Sequence, residues 1–191
     1  MITFITGNKK KAEQVCKFFK EANISITHQA LEYDEPSGLS VQETAQHGAK
    51  ECAEKLQKTV FVDDTGIFFE DYTGFPGAEP KRVFQKIGYT GLLEKIKNGK
   101  TKKAKFLCVL AYCEPGKEPI LFEGTLQGKL IPELRAPLGY DPENYVPFDR
   151  FFIPEGYDQT LAELRAQGKK FESHRSKACQ KLAEYLKKHL E

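Results

Sequence analysis

Residues 2–6 (Ile-Thr-Phe-Ile-Thr) form a short apolar, β-branched run that stops at Gly7-Asn8. From Lys9 to Glu21 the spacing turns helical, with Ala12, Val15, Cys16, Phe18 and Phe19 on or near one face. A buried strand that turns at glycine straight into a helix commits the chain to alternating strands and helices. The rest keeps that rhythm. A second strand is expected at Ile24–Thr27, and residues 30–39, with their acids, proline and glycine, read as a loop. Ser40 with Glu43 makes a capping-box pattern, so a helix should run from Val41 to Lys55. Thr59–Val62 reads as a strand that ends on Asp63 and Asp64.

Residues 71–80 have turn composition, and Pro80 suits the first position of a helix. A helix is expected near 90–97. Two β-like runs, 103–113 and 119–131, should pair as a hairpin across Glu-Pro-Gly-Lys-Glu-Pro. Residues 132–158 are the longest irregular stretch. A short helix at Gln159–Arg165 and a last helix at Phe171–Leu190, striped by Ala178, Leu182, Leu186 and Leu190, complete the chain. Strands interleaved with helices, plus a hairpin, give an α/β fold with a mixed β-sheet flanked by helices.

The length of 191 residues fits one domain, 1–191, with room for two lobes. A net charge of +2 is too small for a general nucleic-acid binder, and no basic run reaches the length of a patch. Five cysteines, an odd number without a Cys-x-x-Cys, argue against a disulfide framework and for a reducing compartment. No run of 18 apolar residues offers a membrane span, and the N-terminal apolar run is too short for a signal peptide. These features point to the cytoplasm.

Four patterns can carry chemistry. Thr6-Gly7-Asn8-Lys9-Lys10-Lys11 sits at a strand-to-helix junction, where backbone N–H groups and the positive end of the helix favour an anion and lysines reach phosphate oxygens. It lacks the spacing of a Walker loop. Asp63-Asp64-Thr65, with a third carboxylate from Glu32 or Glu35, suits Mg²⁺, which takes hard oxygen ligands. Ser173-His174-Arg175, with Lys169 upstream, offers a planar fork and a tunable ring for phosphate or a base carbonyl. Residues 137–156 supply rings for stacking and carboxylates for a base edge. Each pattern alone is also what a solvated turn, a capped helix start or a packed loop would show.

Their order carries more than any one of them. Thr6-Gly7-Asn8 with Lys11, then Asp63-Asp64-Thr65, Phe75-Pro76-Gly77, an aromatic-Asp pair before Pro154-Glu155-Gly156, and Lys169 with Ser173-His174-Arg175 resemble the inosine triphosphate pyrophosphatase family from residue 3 to about 186. The stretch Gly156 to Leu164 also resembles the family's turn and helix before Ser-His-Arg. The resemblance implies an elongated α/β protein of two lobes with a central nucleotide-binding cleft, generally a homodimer. It implies hydrolysis of ITP, dITP and XTP to the monophosphate and pyrophosphate with Mg²⁺, for which Mn²⁺ can substitute.

Carried over residue by residue, Thr6 to Lys11 would cradle phosphates and Lys169 would hold the phosphate chain. Asp64 would bind the metal or act as base, with Asp63 and Glu32 as further ligands; the match at Glu32 needs a one-residue gap. Thr65 and Lys81 would touch substrate, and His174 and Arg175 would read the 6-keto edge of the purine. The aromatic-Asp pair is placed at Phe148-Asp149, where the match runs without a gap into Pro154, in competition with Tyr140-Asp141. The alternatives are a Maf-like pyrophosphatase acting on pyrimidine or modified nucleotides, and a weakly catalytic nucleotide-binding protein.

Overall fold

The computed structural model describes residues 2–136, 147–169 and 171–189. The elements are β1 (Ile2–Ile5), α1 (Lys9–Glu21), β2 (Ile26–Gln29), α2 (Val41–Leu56), β3 (Val60–Phe69), β4 (Pro76–Gly77), α3 (Pro80–Asn98), β5 (Lys103–Cys113), β6 (Ile120–Leu130), β7 (Phe152–Pro154), α4 (Leu161–Ala166) and α5 (His174–His189), with a 3-10 turn at Pro147–Arg150. Seven strands form one mixed sheet in the order β2-β1-β3-β5-β6-β7, with β4 paired to β3. The α/β class with a mixed sheet is therefore as expected.

Register explains where the chemistry collects. β1 is buried along its whole length and pairs parallel with β2 (Ile2 opposite Ile26) and with β3 (Thr3 opposite Val60, Ile5 opposite Val62). The residues that follow these pairs, Thr6 and Asp63, lie together where the parallel pairing of β1 and β3 ends, the kind of edge where α/β sheets place ligands.

Two differences from the sequence reading have clear causes. The strand expected to stop at Val62 continues through both acids to Phe69 and meets β4 antiparallel, Ile67 opposite Gly77. The acids looked like a stop, yet the residues beyond them (Thr-Gly-Ile-Phe-Phe) are strand formers, and Asp63 finds cations inside the fold. β2 begins two residues later than expected because Ile24 belongs to the stop of α1. Asn23 turns left-handed (φ 59°), and the N–H groups of Asn23 and Ile24 donate to the carbonyls of Lys20 and Phe19.

The expected helix near 90–97 is the second half of α3. This helix starts at Pro80 and is broken at Gly88 (φ 58°, ψ −167°), a conformation open to glycine alone. The β5–β6 hairpin and the capping box of α2 are as expected, with Ser40 and Glu43 bonded reciprocally. The short strands β4 and β7 are additions.

The chain divides into two compact units: Met1–Thr65 with Leu107–Thr125 and Ser173–Glu191, and Gly66–Phe106 with Leu126–Glu172. The first has its core in Phe4, Val15, Phe19, Phe61, Cys108, Leu110, Leu182 and their neighbours, with Phe4 stacked on Phe61 at 4.8 Å. The second is built on Ile67, Phe69, Leu92, Ile96, Phe106, Phe148, Phe151, Phe152 and Leu161. No helix among the described residues is long and apolar enough to cross a membrane.

Candidate active site

In the first unit, β1 delivers Thr6 and then turns at Gly7 into α1. The side chain of Asn8 caps this helix, its Oδ1 accepting from the N–H groups of Lys10 (3.0 Å) and Lys11 (3.2 Å), while its own N–H donates to Thr6 Oγ1. These donors, expected to be free for an anion, already have local partners. Gly7 is different. Its φ lies outside the left-handed region, and a Cβ built there would meet nothing within 4 Å. The fold does not need glycine at this point, so its bareness leaves the backbone open to close approach.

The centre of the unit is Asp63, whose side chain is fully buried. Lys11 Nζ lies 2.7 Å from its Oδ1 and donates to its backbone carbonyl at 3.2 Å. Arg175 Nε donates to Oδ2 at 2.8 Å, and the remaining nitrogens of that guanidinium reach Gln14 Oε1 (2.9 Å) and Thr65 Oγ1 (3.4 Å). Burial by itself would raise the Asp63 carboxyl, but the charges and hydrogen bonds of Lys11 and Arg175 outweigh it and hold the group well below the usual carboxylate range. Conversely, burial would lower the Arg175 guanidinium, and the Asp63 charge reverses that. The outcome is a three-membered ion cluster carrying one net positive charge.

Asp64, the next residue, has the opposite fate. Successive strand side chains point to opposite faces, and its Oδ2 is buried with no hydrogen-bond partner. Burial pushes its carboxyl up to about 6; the charge of Lys11 and the Thr65 N–H oppose this, and the charges of Asp63 and Glu35 add to it.

The expected metal set was Glu32, Asp63 and Asp64. Among the described residues no group of three or more His, Cys, Asp or Glu side chains is placed to hold a metal ion. Asp63 is engaged by its two cations, and the loop carboxylates Glu32 and Glu35 are both exposed. A buried carboxylate oxygen without a donor is what a cation would satisfy, and Mg²⁺ needs only one or two carboxylates when phosphates supply the rest. Asp64 Oδ2 fits that description, with Glu32 or Glu35 of the 30–39 loop free to supply a second carboxylate.

Arg175 has three nitrogens engaged within the unit, Nε on Asp63 and the others on Gln14 and Thr65. His174 is buried at the start of α5, and Lys9 is exposed. Sequence reasoning missed what sets α5 in place, namely Gly124 in β6. A Cβ there would overlap the His174 carbonyl oxygen and lie 2.5 Å from Ala178 N. A glycine inside an otherwise good strand is the usual mark of such close backbone approach. Gln14 and Cys108, whose thiol lies 3.8 Å from Asp63 Oδ2 and is pushed by burial up to about 12, were not foreseen either.

In the second unit, Lys81 and Lys169 are exposed, and Lys169 Nζ donates to Gln159 Oε1 at 2.7 Å. Phe148 and Asp149, expected as stacking and edge-reading groups, are interior instead. Phe148 packs edge-on against Phe69 and Phe151, and Asp149 pairs with Arg165 at 3.0 Å. The Phe148 ring gains by leaving water, and the Arg165 pair offsets the cost of burying the Asp149 carboxylate. The competing pair with Asp141 lies outside the described residues.

The profile of the Ham1 family matches residues 2–185. The chain is 38% identical over 186 residues to the dITP/XTP pyrophosphatase of Methanopyrus kandleri, covering 97% of this chain and 96% of that one. It is 34% identical over 196 residues to the inosine triphosphate pyrophosphatase of Scheffersomyces stipitis, covering 97% of each. In three dimensions it superposes on a HAM1 protein of Coxiella burnetii with a TM-score of 0.82 at 22% identity, over 98% of both chains. That likeness speaks for the fold, and the sequence matches over nearly the full length decide the kinship: the chain belongs to the Ham1 family.

Proposed function

We propose that this chain is a nucleoside triphosphate pyrophosphatase that hydrolyses deaminated purine nucleotides, ITP, dITP and XTP, to the monophosphate and pyrophosphate. Relatives at 34–38% identity over nearly the whole chain carry that activity in their names. The observation that carries the reading is the contrast between Asp63, locked between Lys11 and Arg175, and half-buried Asp64, whose Oδ2 is buried without a hydrogen-bond partner and whose carboxyl is raised to about 6. A base poised near neutral pH beside a fixed cluster of net positive charge is what attack of water on a polyphosphate requires.

In this reading the bare backbone at Gly7 admits the phosphates, and Lys11, with Lys10 beside it, neutralises them. Asp64 takes a proton from the attacking water as the α–β anhydride breaks and pyrophosphate leaves. Mg²⁺, or Mn²⁺ in its place, would be held by Asp64 with Glu32 or Glu35 from the 30–39 loop and would neutralise charge on the phosphates. Thr65, Lys81, Lys169 and His174 are proposed substrate contacts. The working form is proposed to be a homodimer, and the compartment the cytoplasm, in keeping with five unpaired cysteines.

The test is pyrophosphate release from a panel of triphosphates with Mg²⁺. ITP and XTP should be turned over far faster than ATP, with GTP between them, and EDTA should stop the reaction. Equal kcat/KM for ITP and ATP would overturn the choice of base. Absence of pyrophosphate release from any triphosphate would overturn the activity.

A further inference from the structure

Gly48 lies inside α2, buried on the face that also carries Ala45, Ala49, Cys52 and Ala53. Glycine weakens a helix interior relative to alanine, so its presence there needs a reason. The reason is the ring of Tyr33. A Cβ at Gly48 would sit against Cε2 closer than any real contact, 2.8 Å from Cδ2 and 3.0 Å from Cζ. The missing side chain makes a notch in the helix, and the aromatic ring of the 30–39 loop fills it. One residue on, the loop is tied to the same helix again, the Asp34 N–H donating to Glu51 Oε2 at 3.1 Å.

We infer that Tyr33, seated in the Gly48 notch, is a positioning residue for the carboxylates of its own loop, Glu32 and Glu35, on the metal side of Asp64. The phenol lies in the field of the carboxylates around it. Burial first, and then the charges of Glu35, Asp63 and Asp64, hold it protonated well above its ordinary range. The loop contains no helix or strand of its own between β2 and α2. The ring and the Asp34 tie thus fix a segment that would otherwise pay conformational entropy each time its carboxylate was needed. The inference rests on the proposed reading in which Asp64 and a carboxylate of the 30–39 loop meet a divalent cation.

The experiment uses Tyr33→Phe, Tyr33→Ala, Gly48→Ala and the double variant Gly48→Ala/Tyr33→Ala, each checked by thermal unfolding. The readouts are the Mg²⁺ concentration for half-maximal pyrophosphate release from ITP, kcat at saturating Mg²⁺, and binding of Mn²⁺ alone followed by the EPR signal of the free ion. Tyr33→Ala and Gly48→Ala should each weaken both metal constants by about 10-fold or more, the scale for groups that orient a metal ligand, with kcat at saturating metal close to that of the parent. Tyr33→Phe, which keeps the ring, should behave as the parent.

The double variant should be no worse than Tyr33→Ala, because the added methyl then enters vacated space. Gly48→Ala attacks the contact from the helix side and favours helix formation, so it keeps the test open if Tyr33→Ala does not fold. Unchanged metal constants in both single variants, a loss confined to kcat, or a double variant as weak as the product of the singles would overturn the inference. A parent protein indifferent to Mg²⁺ and unable to bind Mn²⁺ would instead remove the metal reading, and the inference with it.

Discussion

Asp63 and Asp64 are adjacent in β3, yet the fold drives their carboxyls in opposite directions: Asp63 is held well below the usual range by Lys11 and Arg175, and burial lifts Asp64 to about 6. Two neighbouring acids thereby acquire different work, one as a fixed counterion and the other as a group able to exchange a proton near neutrality.

The metal-free protein should become less stable as pH rises from about 4 to about 6. Folded Asp64 keeps its proton in that window while the unfolded chain has lost it, so rising pH favours unfolding. A shift from 3.8 to about 6 corresponds to roughly 3 kcal/mol at most. Asp63 acts in the other direction and lower down, its contribution being lost as pH falls below about 4. Urea unfolding of the parent and of Asp64→Asn across this range checks the point. The difference between the two curves isolates Asp64, because Glu43 and Glu51, both held below their ordinary value, titrate in each protein; parallel curves would mean that the Asp64 carboxyl is solvated.

Asp64→Asn should also lower kcat for ITP by at least about 10²-fold, the low end for losing a positioned base. Stopped-time measurement of pyrophosphate at saturating Mg²⁺ gives the number. A kcat near that of the parent would move the proton transfer to another group.

Asp63→Asn should destabilise the protein by about 3 kcal/mol, because it leaves Lys11 and Arg175 facing each other without their shared counterion. The effect is read from the urea midpoint at pH 7. A loss below about 1 kcal/mol would show that the two cations relax into water.

Lys11→Ala should depress kcat/KM for ITP and ATP by the same factor, about 10- to 150-fold, since its contact lies on the phosphates common to both. Lys9→Ala should cost much less, its side chain being exposed. A loss confined to one nucleobase would contradict the phosphate assignment.

How much of this was legible in the sequence depends on the range of the interaction. The strand–turn–helix at Ile2–Glu21 and the capping box of Ser40 and Glu43 were readable because local rules fix them. β3 was cut short because two consecutive acids are a stop signal only when nothing neutralises them. Their partners, Lys11 and Arg175, lie 52 and 112 residues away in the chain. The same non-local pairing, Asp63 with Lys11 and Arg175, could not be read from local spacing. The interior placement of Phe148 and Asp149 was hidden for a related reason. An aromatic-acid pair reads alike whether it lines a surface or, as here, fills a core with Arg165 supplying the charge.

Gly7 separates two requirements that usually share a residue. Nothing within 4 Å opposes a methyl group there, and its backbone does not need glycine's freedom, so folding is indifferent to what occupies the position. If glycine is nevertheless required there, the requirement comes from whatever visits the turn from outside. An alanine in its place should leave the melting curve where it is while shutting the entrance, making position 7 a place where the molecule's architecture and its traffic with small molecules can be altered one without the other.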